Sequence, residues 1–170
     1  MNVVQLTFNI FGFRMLIITF VFKGIIKIMK VALGGDHAGF EYKKEIMSLL
    51  VSKGIAIKDF GPFSGDSCDY PDFVHPVARA VESGAFDLGV IICGSGNGIA
   101  MTVNKHQGIR CALAWETELA ELARSHNDAN IVSIPARFVS LEQAKAIVEV
   151  FINTGFEGRR HQRRVDKIPC

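Results

Sequence analysis

Closely spaced cysteines are missing from this chain of 170 residues. Its four cysteines form neither a CxxC motif nor regular pairs, and they are Cys68, Cys93, Cys111 and Cys170. Disulfide-rich secreted proteins and structural zinc sites both depend on such spacing. The sequence therefore predicts a reduced chain in the cytoplasm. No set of histidine, cysteine and acidic residues has the spacing of metal ligands either, so we predict no metal.

A large charge of one sign is also missing, because 19 basic residues nearly balance 17 acidic ones. The net charge of +2 is too small to indicate a nucleic-acid partner by itself. One dense basic run, Arg159–Arg164, suits a solvated tail or a nucleic-acid patch on composition alone, but it lacks interleaved aromatic residues. If the run is helical, Arg160 and Arg164 can grip one phosphate. We predict no nucleic-acid partner.

Near the N-terminus the apolar run is too short to cross a bilayer. Met15–Phe22 has basic flanks, and no small-residue cleavage site follows it. A weak membrane anchor is the alternative to a segment without function. Met29 and Lys30 precede an apolar strand pattern and look like a natural start. We therefore predict that residues 1–28 are an N-terminal extension without function, that residues 29–170 form one domain, and that no membrane partner exists.

The glycine motifs that bind nucleotides are absent as well. The run Gly94–Gly98 carries three glycines, but Ile99 stands where GxGxxG needs a glycine, and no GxxxxGK[ST] occurs. A glycine-dense turn before a helix still points backbone N–H groups at an anion. A small anion or an oxyanion fits this turn better than a nucleotide does. The alternative is a tight turn that binds nothing.

Apolar runs typical of buried strands alternate with segments of helical periodicity. Strands are predicted at 31–33, 55–59, 87–92, 110–114 and 130–134, and helices at 38–53, 73–83, 99–103, 116–125 and 140–151. The last helix opens with a capping box from Ser140 to Gln143. This alternation predicts an α/β, Rossmann-like three-layer sandwich with a five-stranded parallel sheet in a single domain.

Sites in such sheets lie beyond the carboxyl ends of the strands, where Asp36, His37 and Cys93 fall. A cysteine at a helix start should have a pKa below its usual range, which suits a nucleophile or a base. Asp36 is otherwise an N-cap. His126 lies at the end of a helix, where it is either a general acid near neutral pH or a partner of the helix dipole.

Seven motifs occur in order along the chain: Gly35–Phe40, Asp69–Pro71, Ile92–Gly98, Asn104–Lys105, Gly108–Arg110, His126–Asn130 and Gly158–Val165. Together they closely resemble the type B ribose-5-phosphate isomerases of the ribose/galactose isomerase family. The resemblance covers Met29 to the C-terminus, which makes residues 29–170 resemble a sugar-phosphate isomerase domain.

The resemblance implies that the chain interconverts ribose 5-phosphate and ribulose 5-phosphate through an enediolate, with no metal and no organic cofactor. It also implies a homodimer, possibly a tetramer, with active sites shared between subunits. An isomerase of galactose 6-phosphate or allose 6-phosphate is the alternative within the family, although galactose-type subunits lack the pair His126–Asn127. A non-catalytic nucleotide- or RNA-binding module is the alternative outside it.

Residue roles also follow from the resemblance. It assigns Cys93 as the base that works at C1 and C2, His126 as the ring-opening group and Asp36 as the carrier of the O1 and O2 protons. The substrate-binding residues that it implies are His37, Gly94, Ser95, Gly96, Asn97, Gly98, Asn127, Arg137, Arg160, His161 and Arg164, with Arg137 and His161 the weaker phosphate candidates. Some relatives carry glutamate as the base, and many have threonine where Ser95 stands.

Overall fold

The computed structural model describes residues 3–10, 13–20 and 28–169. Within the N-terminal extension, strands β1 (Val3–Ile10) and β2 (Phe13–Phe20) pair antiparallel as a hairpin of their own. No sequence pattern predicted this hairpin. That residues 1–28 have no function stays a prediction. Among the described residues, no helix has the length and apolar character needed to cross a membrane.

A single parallel sheet forms the centre of the remaining chain. Its strands are β3 (Lys30–Gly35), β4 (Ala56–Asp59), β5 (Leu88–Cys93), β6 (Cys111–Leu113) and β7 (Ile131–Pro135). They lie in the order β4-β3-β5-β7-β6, and every neighbouring pair is parallel. The predicted five-stranded parallel sheet is confirmed.

Helices connect the strands. A short 3-10 turn, His37–Gly39, leads into α1; the helices are α1 (Phe40–Ser52), α2 (Tyr70–Glu82), α3 (Asn97–Val103), α4 (Thr117–Asn127), α5 (Leu141–Asn153) and α6 (Gln162–Val165). Helix α2 begins three residues before the predicted start, because Pro71 suits the first turn of a helix. Helix α6 was not predicted.

Two hydrophobic clusters show that helices cover both faces of the sheet. Helices α1, α4 and α5 pack on one face against side chains such as Val90 and Ile92. Helices α2 and α3 pack on the other face against Ile91 and Cys93. Neighbouring residues of a strand point to opposite faces, so β5 is buried on both sides. This arrangement confirms the three-layer sandwich.

The capping box of α5 is half formed. The Ser140 hydroxyl accepts a hydrogen bond from the Gln143 backbone N–H at 3.2 Å, as a capping box requires. The Gln143 side chain does not reach back to Ser140; its amide donates instead to the Trp115 carbonyl at 2.8 Å. This bond ties the start of α5 to the loop before α4.

The strand order creates a crevice between β3 and β5. Within the sheet, β4 lies next to β3 on one side, and β5, the strand that follows β4 in the chain, lies next to β3 on the other side. At such a switch point the connections from neighbouring strands diverge and leave room beyond the carboxyl ends. The functional site is therefore expected beside Gly35 and Cys93, the last residues of these two strands.

Candidate active site

A cavity of about 500 Å³ opens at this crevice. Its lining combines residues that follow β3, β5 and β7 with the first residue of α2: Asp36, His37, Ala38, Tyr70, Cys93, Gly94, Ser95, Gly98, Arg137 and Phe138. The Asp36 N–H donates to the Ile92 carbonyl at 3.1 Å, which fixes the segment after β3 against the end of β5. Residues far apart in sequence are thus brought to one cleft.

The glycine turn after Cys93 is held tightly. Gly96 has φ +74°, and a Cβ built there would lie 2.3 Å from Leu113 Cδ1, so a larger residue would be strained and would clash. The Ser133 hydroxyl donates to the Gly96 carbonyl at 2.7 Å. The Gly96 N–H in turn donates to Cys93 Sγ at 3.1 Å. The turn therefore aims a backbone donor at the sulfur.

Close neighbours also explain the two outer glycines of this turn. A Cβ on Gly98 would lie 2.7 Å from the Tyr70 hydroxyl, and one on Gly94 would lie 3.1 Å from Arg137 Nε. The Arg137 N–H donates to the Gly94 carbonyl at 3.1 Å. Tyr70 and Arg137 thus pack directly against the turn. Tyr70 was predicted only as part of a motif. Its position directly after a predicted loop was the signal in the sequence that it could line a site.

The prediction of a low pKa for Cys93 is wrong for this chain. Only 5% of Cys93 is exposed, and burial raises the pKa of its thiol. The nearby Asp36 carboxylate raises it further, while N–H groups of Gly96, Ser95 and Ile99 act in the opposite direction. The N–H groups at the helix start do lower the pKa, but the cost of burying a thiolate outweighs them.

Asp36 is both an N-cap and a residue of the cavity, the two roles that its sequence position indicated. Its carboxylate accepts a hydrogen bond from the Gly39 N–H at 3.0 Å, as an N-cap does. The same residue lines the cavity and is close enough to Cys93 to affect its titration. Beside it, His37 Nδ1 is buried and has no hydrogen-bond partner among the described residues. A buried polar atom left in this state is suited to a ligand.

Asn97, the first residue of α3, lines a neighbouring cavity of about 530 Å³ and not the Cys93 cavity. The predicted residues at the ends of α4 and of the chain lie at the opposite edge of the sheet. Helix α4 connects the carboxyl end of β6 to the amino end of β7, so its last residues, His126 and Asn127, lie at the amino edge. Asn127 lines a separate cavity of about 350 Å³ with Arg110. A strand of six residues separates the two edges by about 17–20 Å. Within one chain, His126 and Asn127 therefore do not share the Cys93 cavity.

The C-terminal basic run joins this second group. The His126 and His161 rings stack with centroids 4.1 Å apart and planes 8° apart. Arg160 Nε donates to His161 Nε2 at 3.2 Å, and Arg164 Nη1 donates to the Arg160 carbonyl at 3.2 Å. Both arginines are exposed. The predicted phosphate ligands Arg160, His161 and Arg164 thus surround His126 and lie away from Cys93.

A network that sequence reasoning missed holds the turn after α4. Asp128 ends the helix at φ +46°, a conformation that aspartate tolerates better than most residues. Its carboxylate accepts hydrogen bonds from Arg110 at 2.7 Å and from Arg124 at 2.9 Å. These bonds fix the backbone directly behind His126 and Asn127. The sequence did contain a signal for this network, because the acidic residue Asp128 closely follows the predicted end of the helix.

One group of described side chains has the donor types of a metal site. Ligand atoms of His126, Glu157 and His161 all lie within 4.8 Å of one another. Imidazole lone pairs lie in the ring plane, so two nearly parallel stacked rings cannot both direct a lone pair at one ion. Two flanking arginine charges also oppose a cation. As arranged, this group does not fit a metal.

Comparison with known proteins identifies the family. The family described as Ribose/Galactose Isomerase matches residues 31–168. The chain belongs to the ribose/galactose isomerase family. It is 44% identical to "Ribose-5-phosphate isomerase B" of Escherichia coli over 139 residues, which covers 82% of this chain and 93% of that protein. The predicted family membership is confirmed.

Solved structures of other family members have the same fold. The type B ribose 5-phosphate isomerase of Thermotoga maritima superposes with a TM-score of 0.81 at 42% identity, over 83% of this chain and 97% of that one. The Mycoplasma genitalium enzyme, solved with bound ribulose-5-phosphate, gives 0.80 at 41% identity, over 82% and 93%. The hairpin of β1 and β2 lies outside the family match.

Proposed function

We propose that this chain interconverts ribose 5-phosphate and ribulose 5-phosphate, with Cys93 as the base. One observation carries the proposal: the Cys93 sulfur lies at a strand end inside a cavity, beside backbone donors and the Asp36 carboxylate. Similarity to ribose-5-phosphate isomerases over more than four fifths of the chain supports the choice of substrate.

The chemistry needs one base that can work on two adjacent carbons. The Cys93 thiolate takes the proton from C2 of the open-chain aldose, and the electron pair moves onto O1 to give an enediolate. Asp36 carries the O2 proton to O1. The Cys93 thiol then returns its proton to C1 while the carbonyl forms at C2. The backbone N–H groups of the glycine turn stabilise the negative oxygen, and each such donor is typically worth about 2.7–4 kcal/mol of barrier.

Ring opening must precede this step, because ribose 5-phosphate is mainly a closed ring. We assign ring opening to His126, with Asn127 beside it as a ligand of the sugar. Since both residues lie at the amino edge of their own sheet, we propose a homodimer in which they enter the Cys93 cavity of the other copy. Exposed apolar side chains support such docking: Phe138, which lines that cavity, is 73% exposed, and Trp115, which lines a neighbouring cavity with Phe138, is 48% exposed.

Such a dimer would also oppose the rise in the pKa of Cys93 that burial causes in one chain. In one chain, burial and Asp36 oppose the thiolate. The second copy would bring Arg160 and Arg164 to the cavity, and positive charges nearby favour the ionised thiol. The docking that completes the substrate site would therefore also prepare the base.

The phosphate would be held from both copies. His37 and Arg137 line the Cys93 cavity, and among the described residues nothing bonds to the buried His37 Nδ1, which in its Nδ1–H tautomer would donate to a phosphate oxygen. Arg160 and Arg164 would come from the second copy, and charge-assisted bonds from arginine suit phosphate geometry. A phosphate gripped at C5 fixes the position of C1 and C2 over the sulfur.

Replacing the sulfur tests the proposal. We expect Cys93→Ala to lower kcat for ribose 5-phosphate by about 10²–10⁴-fold, because the general base is lost. Cys68→Ala is the matched control, since Cys68 is a free cysteine that does not line the cavity. The assay follows ribulose 5-phosphate formation, and circular dichroism checks the fold.

Retention of wild-type kcat by Cys93→Ala would contradict the role of the sulfur. A wild-type chain that isomerises allose 6-phosphate or galactose 6-phosphate faster than ribose 5-phosphate would contradict the choice of a pentose.

A further inference from the structure

We propose that His161 is a positioning residue for ring opening, which holds the His126 ring and anchors Arg160, and that it is not a phosphate ligand. The inference rests on the proposed function, because it concerns the second group of residues. It changes the role that the resemblance implied for His161.

The stacking geometry fixes the plane of the His126 ring. His126 lies in the last turn of α4, and His161 precedes α6, which packs against α4. The nearly parallel rings are 4.1 Å apart, and His161 is only 8% exposed. Rotation of the His126 side chain would break this contact. An acid that must reach a ring oxygen gains from having its orientation set beforehand.

The hydrogen bond from Arg160 defines the state of His161. The Arg160 Nε–H can only donate, so His161 Nε2, at 3.2 Å, must accept with its lone pair. This bond favours the neutral ring, although Glu157 Oε2 lies 3.7 Å from the same nitrogen. Burial and the nearby charges of His126, Arg160 and Arg164 also lower the pKa of His161, against the opposing influence of Glu157. The remaining donor, Nδ1–H, belongs to a ring that is only 8% exposed, so His161 is poorly placed to bind a phosphate.

The same bond links the group that opens the sugar ring to a group that binds the phosphate. Arg160 is anchored by its Nε at one end of the guanidinium, which leaves the outer nitrogens for a phosphate. His161 therefore sets the position of a phosphate-binding group relative to the ring-opening group. The effect on kcat that acts through His126 should be lost when His126 is already absent, whereas the effect on KM through Arg160 should remain.

A double-mutant cycle tests this directly. We expect His161→Ala to lower kcat/KM for ribose 5-phosphate by about ten- to a hundredfold, as loss of orientation does. In the His126→Ala background, which acts on the small open-chain fraction of the substrate, the same change should lower kcat by less than about threefold, while the rise in KM through Arg160 remains. His161→Phe keeps the stack and the burial, so it should recover most of kcat. It loses the acceptor for Arg160, so KM should rise a few fold.

A second measurement separates ring opening from the proton transfer. Ribulose 5-phosphate has no closed furanose form, because the oxygen on C5 carries the phosphate. Exchange of its C1 hydrogen with D2O, followed by NMR, should therefore stay within about threefold of wild type in His161→Ala. Thermal unfolding of each variant checks the fold.

Three results would overturn the inference. The first is a loss confined to KM, with kcat unchanged in both His161→Ala and His161→Phe, which a phosphate ligand predicts. The second is an equal loss of isomerisation and exchange. The third is multiplicative effects of the two alanine changes on kcat. A wild-type chain inactive towards ribose 5-phosphate would instead contradict the proposed function.

Discussion

Cys93 shows what a single residue's sequence position can and cannot reveal. An apolar run followed by a glycine-dense turn places the cysteine at a strand end, and the structure puts it there. Its titration depends on burial and on Asp36, which is 57 positions earlier in the chain. Burial and through-space charge come from the tertiary structure, so the local sequence pattern predicted the wrong direction for the pKa.

The effect of Asp36 on Cys93 is testable at this scale. Because the Asp36 carboxylate raises the pKa of the thiol, Asp36→Asn should shift thiolate formation to lower pH. Asparagine caps a helix about as well as aspartate, so the turn should survive. The measurement is the rate of Cys93 alkylation against pH in a chain whose other three cysteines are alanine.

Asp66→Asn is the matched control, because Asp66 is exposed and outside the cavity. An alkylation profile in Asp36→Asn that is unchanged, or that moves to higher pH, would show that the carboxylate does not act on the sulfur.

Secondary structure elements were predicted well where a buried apolar run or a helical periodicity marked them. The strand predicted at 130–134 lies at Ile131–Pro135, and the helix predicted at 116–125 lies at Thr117–Asn127. Short elements without such a pattern were missed. Helix α6 has four residues, of which only Val165 is buried. The order of the strands in the sheet could not be predicted from the sequence, because it depends on which distant strands pair with each other.

The cap of α5 gives a prediction at the scale of an element. Ser140→Ala should lower the free energy of unfolding by about 1 kcal/mol, because the Gln143 N–H loses its acceptor. Ser140→Asp restores an acceptor and should recover most of that loss. Urea unfolding at one protein concentration measures both variants. A stability of Ser140→Ala equal to that of the parent would mean that water replaces the hydroxyl at no cost.

At the scale of the whole molecule, the predicted site residues are divided between two edges of one sheet. Asp36 and Cys93 lie at the carboxyl edge, whereas His126 and Asn127 lie at the amino edge. Sequence motifs identified both groups but could not tell that one chain keeps them apart. The division follows from the path of α4, whose end returns to the start of the next strand.

The central claim is therefore that catalysis needs Cys93 of one copy and His126 of another. Mixing the Cys93→Ala and His126→Ala chains under conditions that exchange subunits tests it most directly. In a mixed dimer, one site contains both mutations and the other contains neither. After random reassortment of equal amounts, about half of the dimers are mixed, and each has one intact site of two. The mixture of the two poorly active variants should therefore reach about a quarter of wild-type activity. Activity that stays at the average of the two separate variants after exchange would contradict the shared site.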